Sequence, residues 1–189
     1  MKKLAALLLA GAMAMSMTAC AIVIDGEEGT SGTTSTSGSG SSTKVEGMIG
    51  LSVSTQNNPF FVDLADGAEA EASKDGVILQ VADAGDDVTK QASDIEDLVS
   101  KGISVLIVNP VDSDAVTGAV EAAKSKGVKV ISVDRAVNGV EIDCQIASDN
   151  VAGAEMATQF IVDVLGKGAK TAELQGTPGA SAAIDRGTG

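Results

Sequence analysis

Residues 48–61 read MIGLSVSTQNNPFF and join a short apolar segment to a polar loop and then to an aromatic pair. Met48 to Val53 has the length and the Val, Ile and Leu content of a buried strand. Asn58 followed by Pro59 is a typical helix start, because asparagine caps the first turn and proline fits its first position. A strand that leads at once into a helix is the repeating unit of a parallel sheet covered by helices.

The same unit recurs further along the chain. Three more strands are predicted, at Val77 to Ala82, Ser104 to Val108 and Val128 to Val133. The helices between them carry apolar stripes, such as Val88, Ala92, Ile95, Leu98 and Val99. Later segments predict a strand at Ile142 to Ala147, a helix that opens at Asp149, a strand at Ala169 to Leu174 and a helix capped by Ser181. The sequence therefore predicts an α/β fold, a doubly wound parallel-sheet domain over 45–148 and the start of a second, incomplete α/β domain over 149–189.

The first 44 residues predict export and tethering. Lys2 and Lys3 precede an apolar run, and the run ends in MTAC at Cys20. This ending resembles the lipobox of bacterial lipoproteins, which implies a signal peptide over 1–19 and a lipid anchor on Cys20; an ordinary secretion signal is the alternative. Residues 20–44 are rich in Gly, Ser and Thr, so we expect a flexible linker there.

Composition excludes several classes of function. The formal net charge is −13, which argues against nucleic acid and anionic lipid as partners. The chain has no histidine, so the usual general base and the usual zinc ligand are absent. No phosphate-binding glycine loop or calcium-binding loop is present either. We therefore expect a binding protein with no catalytic residues, no cofactor and no metal. Cys144 is predicted to be a small buried apolar residue.

Polar residues collect where the predicted strands end. Ser54, Asp83, Asn109 and the pair Asp134-Arg135 each follow a strand, and Gln175 follows the strand predicted in the second domain. Ligands bind beyond the carboxyl ends of parallel strands, because unpaired backbone groups and helix N-termini point there. The sequence therefore predicts a ligand site at this edge.

Three features of this edge can be explained either by a role in the fold alone or by contact with a ligand. Asn58 either only caps its helix or also contacts ligand. Phe60 and Phe61 point about 100° apart in a helix, so one is expected to face the cleft, although packing of both in the core stays open. Asp134 and Arg135 either bind adjacent ligand hydroxyls or only pair with each other.

Five segments together resemble the type I periplasmic sugar-binding proteins. They are VSTQNNPFFVDLADGAEAEA, VNPVDSDAV, VDR, IASDN and ELQGTPGASAAIDRG, in that order along the chain. The resemblance implies two α/β domains joined by a hinge, a monosaccharide bound between them, most readily ribose, and delivery to an ABC transporter permease. It also implies that the complete protein is a monomer and that these 189 residues, which lack much of the second domain, bind poorly.

The resemblance also implies a set of ligand contacts. In this sequence they are Ser54, Asn58, Phe60, Phe61, Asp134, Arg135 and Arg186. The alternatives are an enzyme acting on a sugar, the sensing core of a transcription repressor, and a receptor lipoprotein that signals without transport. Galactose, allose, xylose and furanosyl signalling molecules stay open as ligands.

Overall fold

The computed structural model describes residues 47–189, so the predicted signal peptide, Cys20 and the linker lie outside the described residues. The strands are β1 Met48–Val53, β2 Ile78–Asp83, β3 Ile103–Val108, β4 Lys129–Val133 and β5 Cys144–Ile146. The helices are α1 Pro59–Asp75, α2 Val88–Ser100, α3 Thr117–Ser125, α4 Asn150–Leu165 and α5 Ser181–Thr188. The alternation of strands and helices as far as β4 is confirmed, with strand boundaries within one residue of those predicted.

The five strands form one parallel sheet in the order β2-β1-β3-β4-β5. Strand order reverses beside β1, because β2 lies on one side of it and β3 on the other. In an open parallel sheet, the crevice beside such a reversal is where ligands bind. The topology therefore places the loops that follow β1 and β3 at the expected ligand edge.

Apolar clusters lie on both faces of this sheet. One contains Leu51, Val53 and Ala65 of α1, with Ile107 packed against it. The other brings α2 and α3 against the opposite face, through Ile95, Leu98, Leu106, Val108, Val116, Val120 and Val130 among others. Successive residues of β3 fall in different clusters because neighbouring side chains of a strand point to opposite faces. The apolar runs of the sequence thus bury both sides of the strands.

Local signals fix where the helices begin and end. Asn58 Oδ1 accepts a hydrogen bond from Phe60 N at 3.0 Å, and Pro59 occupies the first helical position, as predicted. Asp149 caps α4 by accepting from Ala152 N at 3.0 Å, which is also as predicted. Gly76 ends α1 with φ of 67°, a backbone conformation that costs glycine least.

The edge strand β5 corrects one expectation. Cys144 was predicted to be buried, but it is exposed, and so are all three residues of β5. Within the described sheet β5 is an edge strand that pairs only with β4. Asp143 holds the preceding turn by accepting from Val130 N at 2.9 Å and from Lys129 Nζ at 2.8 Å. These hydrogen bonds lower the pKa of the Asp143 carboxyl.

Two expectations beyond β5 are wrong. Residues 169–174 form no strand, because a strand needs a hydrogen-bonded neighbour and the described sheet offers none there. Ala180, not Ser181, occupies the cap position of α5, and Ser181 Oγ instead accepts from Ala136 N at 2.7 Å. The helix predicted to open at Asp149 is present as α4, and its large apolar side chains Phe160, Ile161, Val164 and Leu165 are exposed. Within 47–189 no helix combines the length and apolar character needed to span a bilayer.

Ser132 on β4 offers a test of the core. Its side chain is fully buried, and its hydroxyl has no hydrogen-bond partner among the described residues. A buried hydroxyl without a partner costs stability, because its bonds to water are lost and not replaced. We expect Ser132→Ala to raise the free energy of unfolding by about 1 kcal/mol in urea denaturation. Ser113→Ala is the opposite control, since the Ser113 hydroxyl accepts from Ser181 N, and an unchanged or lower stability of Ser132→Ala would contradict this reading.

Candidate ligand-binding site

Asn109 connects three strand ends at the carboxyl edge of the sheet. Its Oδ1 accepts from Ser54 Oγ at 2.6 Å and from Ser54 N at 3.3 Å. Its Nδ2 donates to Val133 O at 3.1 Å and lies 3.5 Å from Asp134 Oδ2. The side chain is fully buried and both ends of its amide are used. Asn109 therefore holds the loops after β1 and β4 in a fixed relation.

Asp134 sits in a tight turn directly after β4. Its φ is 64°, and Arg135 N donates to Val133 O at 2.7 Å across it. A three-residue turn with positive φ at a residue other than glycine is strained, and such strain persists only where the surrounding structure holds it. Asp134 N donates to Ile146 O at 2.8 Å, which helps hold the turn. The turn leaves the carboxylate partly open to solvent, with 23% of the side chain exposed.

Arg135 is nearly buried and is held mainly by backbone carbonyls. Its Nη1 donates to Pro110 O at 2.8 Å and lies 3.4 Å from Val111 O. Its Nε lies 3.8 Å from Asp134 Oδ2, and its Cζ lies 5.1 Å from the centre of the Phe61 ring. Burial lowers the pKa of the guanidinium, while the neighbouring carboxylates of Asp134 and Asp86 raise it. Arg135 and Asp134 therefore form an ion pair, and the carbonyl of Pro110 also holds the guanidinium in place.

The aromatic pair divides between core and surface. Phe61 is 3% exposed and lies under Arg135, whereas Phe60 is 54% exposed. Their ring centres are 5.2 Å apart with the planes at 77°, an edge-to-face contact that favours both rings. Phe60 thus presents an apolar surface beside the polar cluster. Asn58 lies at the start of the same helix, with Oδ1 committed to the cap.

The structure brings together most, but not all, of the residues predicted for the site. Ser54, Phe61, Asp134 and Arg135 are linked by direct contacts or through Asn109. Asn58 caps α1, and Phe60 lies in the first turn of that helix in contact with Phe61. Arg186 is exposed on α5 and lines a separate cavity between α4, residues 166–174 and α5, so the structure does not join it to this cluster.

Sequence reasoning missed the part played by buried amides. Asn109 was recognised only as a polar residue after a strand, and Gln91 was not recognised at all. Gln91 lies one turn before Ile95 on the buried face of α2 and is 1% exposed. A polar residue at an apolar-stripe position was the available signal, since a buried amide requires partners. The exposed Val88, predicted as part of that stripe, lies off the buried face.

This edge offers hydrogen-bond acceptors and donors next to an apolar ring. The Asp134 carboxylate accepts, and the Arg135 guanidinium has five N–H donors, of which only some point to the carbonyls below. Within residues 47–189 there is no cluster of three metal-ligating side chains. The arrangement suits a small neutral polyol, whose hydroxyls both give and take hydrogen bonds.

Comparison with known proteins agrees with this geometry. The family described as periplasmic binding protein domain matches residues 49–189. The chain belongs to the periplasmic binding protein family. Its parallel sheet and helix order are those of type I members, so the predicted fold class is confirmed.

Similar members of the family are named for a sugar or a cyclic polyol. The ribose import binding protein of Bacillus subtilis (strain 168) is 53% identical over 151 residues, which is 80% of this chain and 50% of the relative. That of Escherichia coli (strain K12) is 47% identical over 141 residues, 75% of this chain and 48% of the relative. The solved myo-inositol binding protein of Caulobacter, with myo-inositol bound, is 36% identical with a TM-score of 0.71, covering 75% of this chain and 48% of that one. The chain spans about half the length of the relatives it matches.

Proposed function

We propose that the chain is the sugar-capturing protein of an ABC importer and that its strand-end site binds one monosaccharide, with ribose as the leading candidate. The observation that carries this proposal is the Asp134-Arg135 pair, an acceptor beside a donor at the carboxyl edge of β4. Adjacent sugar hydroxyls can bond to a carboxylate and a guanidinium at once. The C–H face of the sugar can pack on the exposed Phe60 ring. The names of the two ribose import relatives support ribose over other sugars.

The remaining ligand residues have supporting parts in this proposal. Ser54 is tied to Asn109 and shapes the floor of the site, and Phe61 supports Arg135 from beneath. The Asn58 amide nitrogen is free to donate to the sugar while Oδ1 caps α1. Arg186 contributes from the second domain when that domain closes over the ligand.

The proposal extends to the place of the protein in the cell. The export signal and Cys20 anchor it outside the cytoplasm through lipid, and the linker over 20–44 lets it reach a permease. The permease, not this chain, moves the sugar, and the chain performs no chemistry on it. No cofactor or metal takes part.

A titration that detects weak binding tests the sugar assignment. The ¹⁵N-labelled chain is titrated with ribose, xylose and galactose up to tens of millimolar, with branched amino acids as the rival ligand class. Because the chain spans about half the length of its relatives, we expect saturable but weak shifts with ribose, centred on Asn58 and Arg135. Saturation by an amino acid in the absence of any sugar response would make the assignment wrong.

Substitution of the ion pair tests the site. We expect Asp134→Asn to weaken ribose binding by about tenfold or more, because a neutral amide accepts hydrogen bonds less strongly than a carboxylate. Arg135→Lys should have a similar effect, since an ammonium lacks the fixed fork of a guanidinium. Asp97→Asn, an exposed change on α2, is the matched control. Equal ribose affinity of Asp134→Asn and the control would remove Asp134 from the site.

A further inference from the structure

Gln91 reaches from α2 into the carboxyl edge of the sheet with every polar atom engaged. Its Nε2 donates to Asn109 O at 3.0 Å and to Ser52 Oγ at 3.2 Å. Its Oε1 accepts from Val111 N at 2.8 Å. Two of these three bonds go to the backbone of residues 109–111, which directly follows β3. Gln91, on α2, therefore holds residues 109–111 by hydrogen bonds at both ends of the segment.

The same segment holds the guanidinium of Arg135. Pro110 O accepts a hydrogen bond from Arg135 Nη1, and Val111 O lies 3.4 Å from the same nitrogen. The N–H of Val111 donates to Gln91 Oε1. The orientation of a peptide carbonyl follows the orientation of its neighbouring N–H groups, because the peptide unit is planar. Val111 N–H and Pro110 O belong to one peptide plane, and Asn109 O belongs to the plane before it. A side chain that binds both Val111 N and Asn109 O therefore fixes the orientation of the Pro110 carbonyl, which accepts from Arg135.

We propose that Gln91 is a positioning residue, which sets the position of the Arg135 guanidinium at the ligand edge by clamping residues 109–111. The inference rests on the proposed function for its consequence in sugar binding, but the coupling of Gln91 to Arg135 is a property of the ligand-free chain. An apolar residue of similar size would fill the same space on α2, where Ile95 and Leu98 are its buried neighbours. Burying an amide lowers the stability of a protein unless the amide is hydrogen-bonded. Each hydrogen bond of the Gln91 amide goes to a residue at or near the end of β1 or β3.

Two variants separate positioning from simple packing. Gln91→Met keeps the length of the side chain and removes all three hydrogen bonds. Gln91→Glu keeps an acceptor for Val111 N and one for the Ser52 hydroxyl, and loses the bond to Asn109 O. Ile95→Val is the matched control, since it removes one buried methyl group from the same face of α2 without changing a polar contact.

The first readout needs no sugar. In NMR spectra of the labelled chain we expect Gln91→Met to shift the Arg135 Nε–H resonance and to speed its hydrogen exchange about tenfold, the factor that corresponds to one hydrogen bond. Gln91→Glu should restore part of the protection, and Ile95→Val should leave the Arg135 signal unchanged. Identical Arg135 signals in Gln91→Met and the parent would overturn the proposal. If Gln91→Met does not fold, an Arg135 signal in Gln91→Glu identical to that of the parent would overturn it, because the lost bond to Asn109 O would then have no effect on Arg135.

The second readout uses ribose. Where the parent shows ribose-dependent shifts, Gln91→Met should weaken them by about tenfold and Ile95→Val should not. Unchanged ribose affinity in Gln91→Met would overturn the positioning role. A parent that gives no ribose response contradicts the proposed function, and the exchange of Arg135 Nε–H then still decides whether Gln91 sets its position.

Discussion

Asn109→Leu is expected to lower the free energy of unfolding by about 3 kcal/mol and to abolish any ribose-dependent signal. The change removes the acceptor of Ser54 N and Oγ, which stay buried at the end of β1, and one of the two donors to Val133 O, which keeps its bond from Arg135 N. Each buried polar group that loses its partner costs about 1 to 3 kcal/mol. Urea denaturation followed by circular dichroism measures the loss, and the NMR titration measures the sugar response.

Asn57→Leu is the matched control for this prediction. Asn57 lies in the loop after β1, at the same edge of the sheet, but is exposed, so its replacement leaves no buried group without a partner. We expect its unfolding free energy to stay within about 0.5 kcal/mol of the parent. Similar losses in Asn57→Leu and Asn109→Leu would mean that the Asn109 network does not stabilise the strand ends.

Gly179→Ala is expected to release the loop before α5 from the loop after β3. Gly179 has φ of 79°, and an added Cβ would overlap Asp112 Oδ2 and lie 2.6 Å from its Cγ. Asp112 cannot easily retreat, because its Oδ1 accepts from Asp114 N and Ala115 N. The contact at risk is Ser113 N donating to Gly179 O at 2.9 Å. We expect a loss of about 3 kcal/mol, in which backbone strain of 1 to 2 kcal/mol adds to the broken contacts.

Amide hydrogen exchange measures this release residue by residue. Ser113 N–H and Ala136 N–H, which are bonded to Gly179 O and Ser181 Oγ, should exchange much faster in Gly179→Ala. Gly76→Ala is the control for left-handed backbone strain alone, since Gly76 has φ of 67° and ψ of 29° with nothing within 4 Å of an added Cβ. It should cost only the strain and leave both amides protected. Equal protection of the Ser113 amide in the two variants would show that Asp112 moves aside.

Some site residues were predictable because their local sequence already specifies their geometry. Asn58 before Pro59 specifies a helix cap wherever the helix packs, and the structure has it. Phe60 and Phe61 diverge because adjacent helical residues cannot share one face, and one ring is indeed buried while the other is exposed. Asp134 and Arg135 follow a buried strand, which places them at the strand end by connectivity alone.

Other features depend on partners that are distant in the sequence. In the sequence Gln91 is one polar residue of a helix. Its three hydrogen bonds are visible only in the folded chain, where β1 and the segment after β3 pack against α2. Residues 169–174 have a strand-like composition, but no described strand lies beside them, so composition gave the wrong answer. Ser181 resembled a cap, but its hydroxyl bonds to Ala136, 45 positions away in the chain.

The alternation of strands and helices and most of the helix starts follow from local sequence, because apolar period and capping act through near neighbours. The identity of the side chains that meet at the polar edge of the sheet depends on how the strands come together in the folded chain. Asn109 and Gln91 could be recognised as the residues that hold this edge only from the folded structure. The role of a buried amide depends on the groups that replace its hydrogen bonds to water, and here those groups come from distant parts of the sequence.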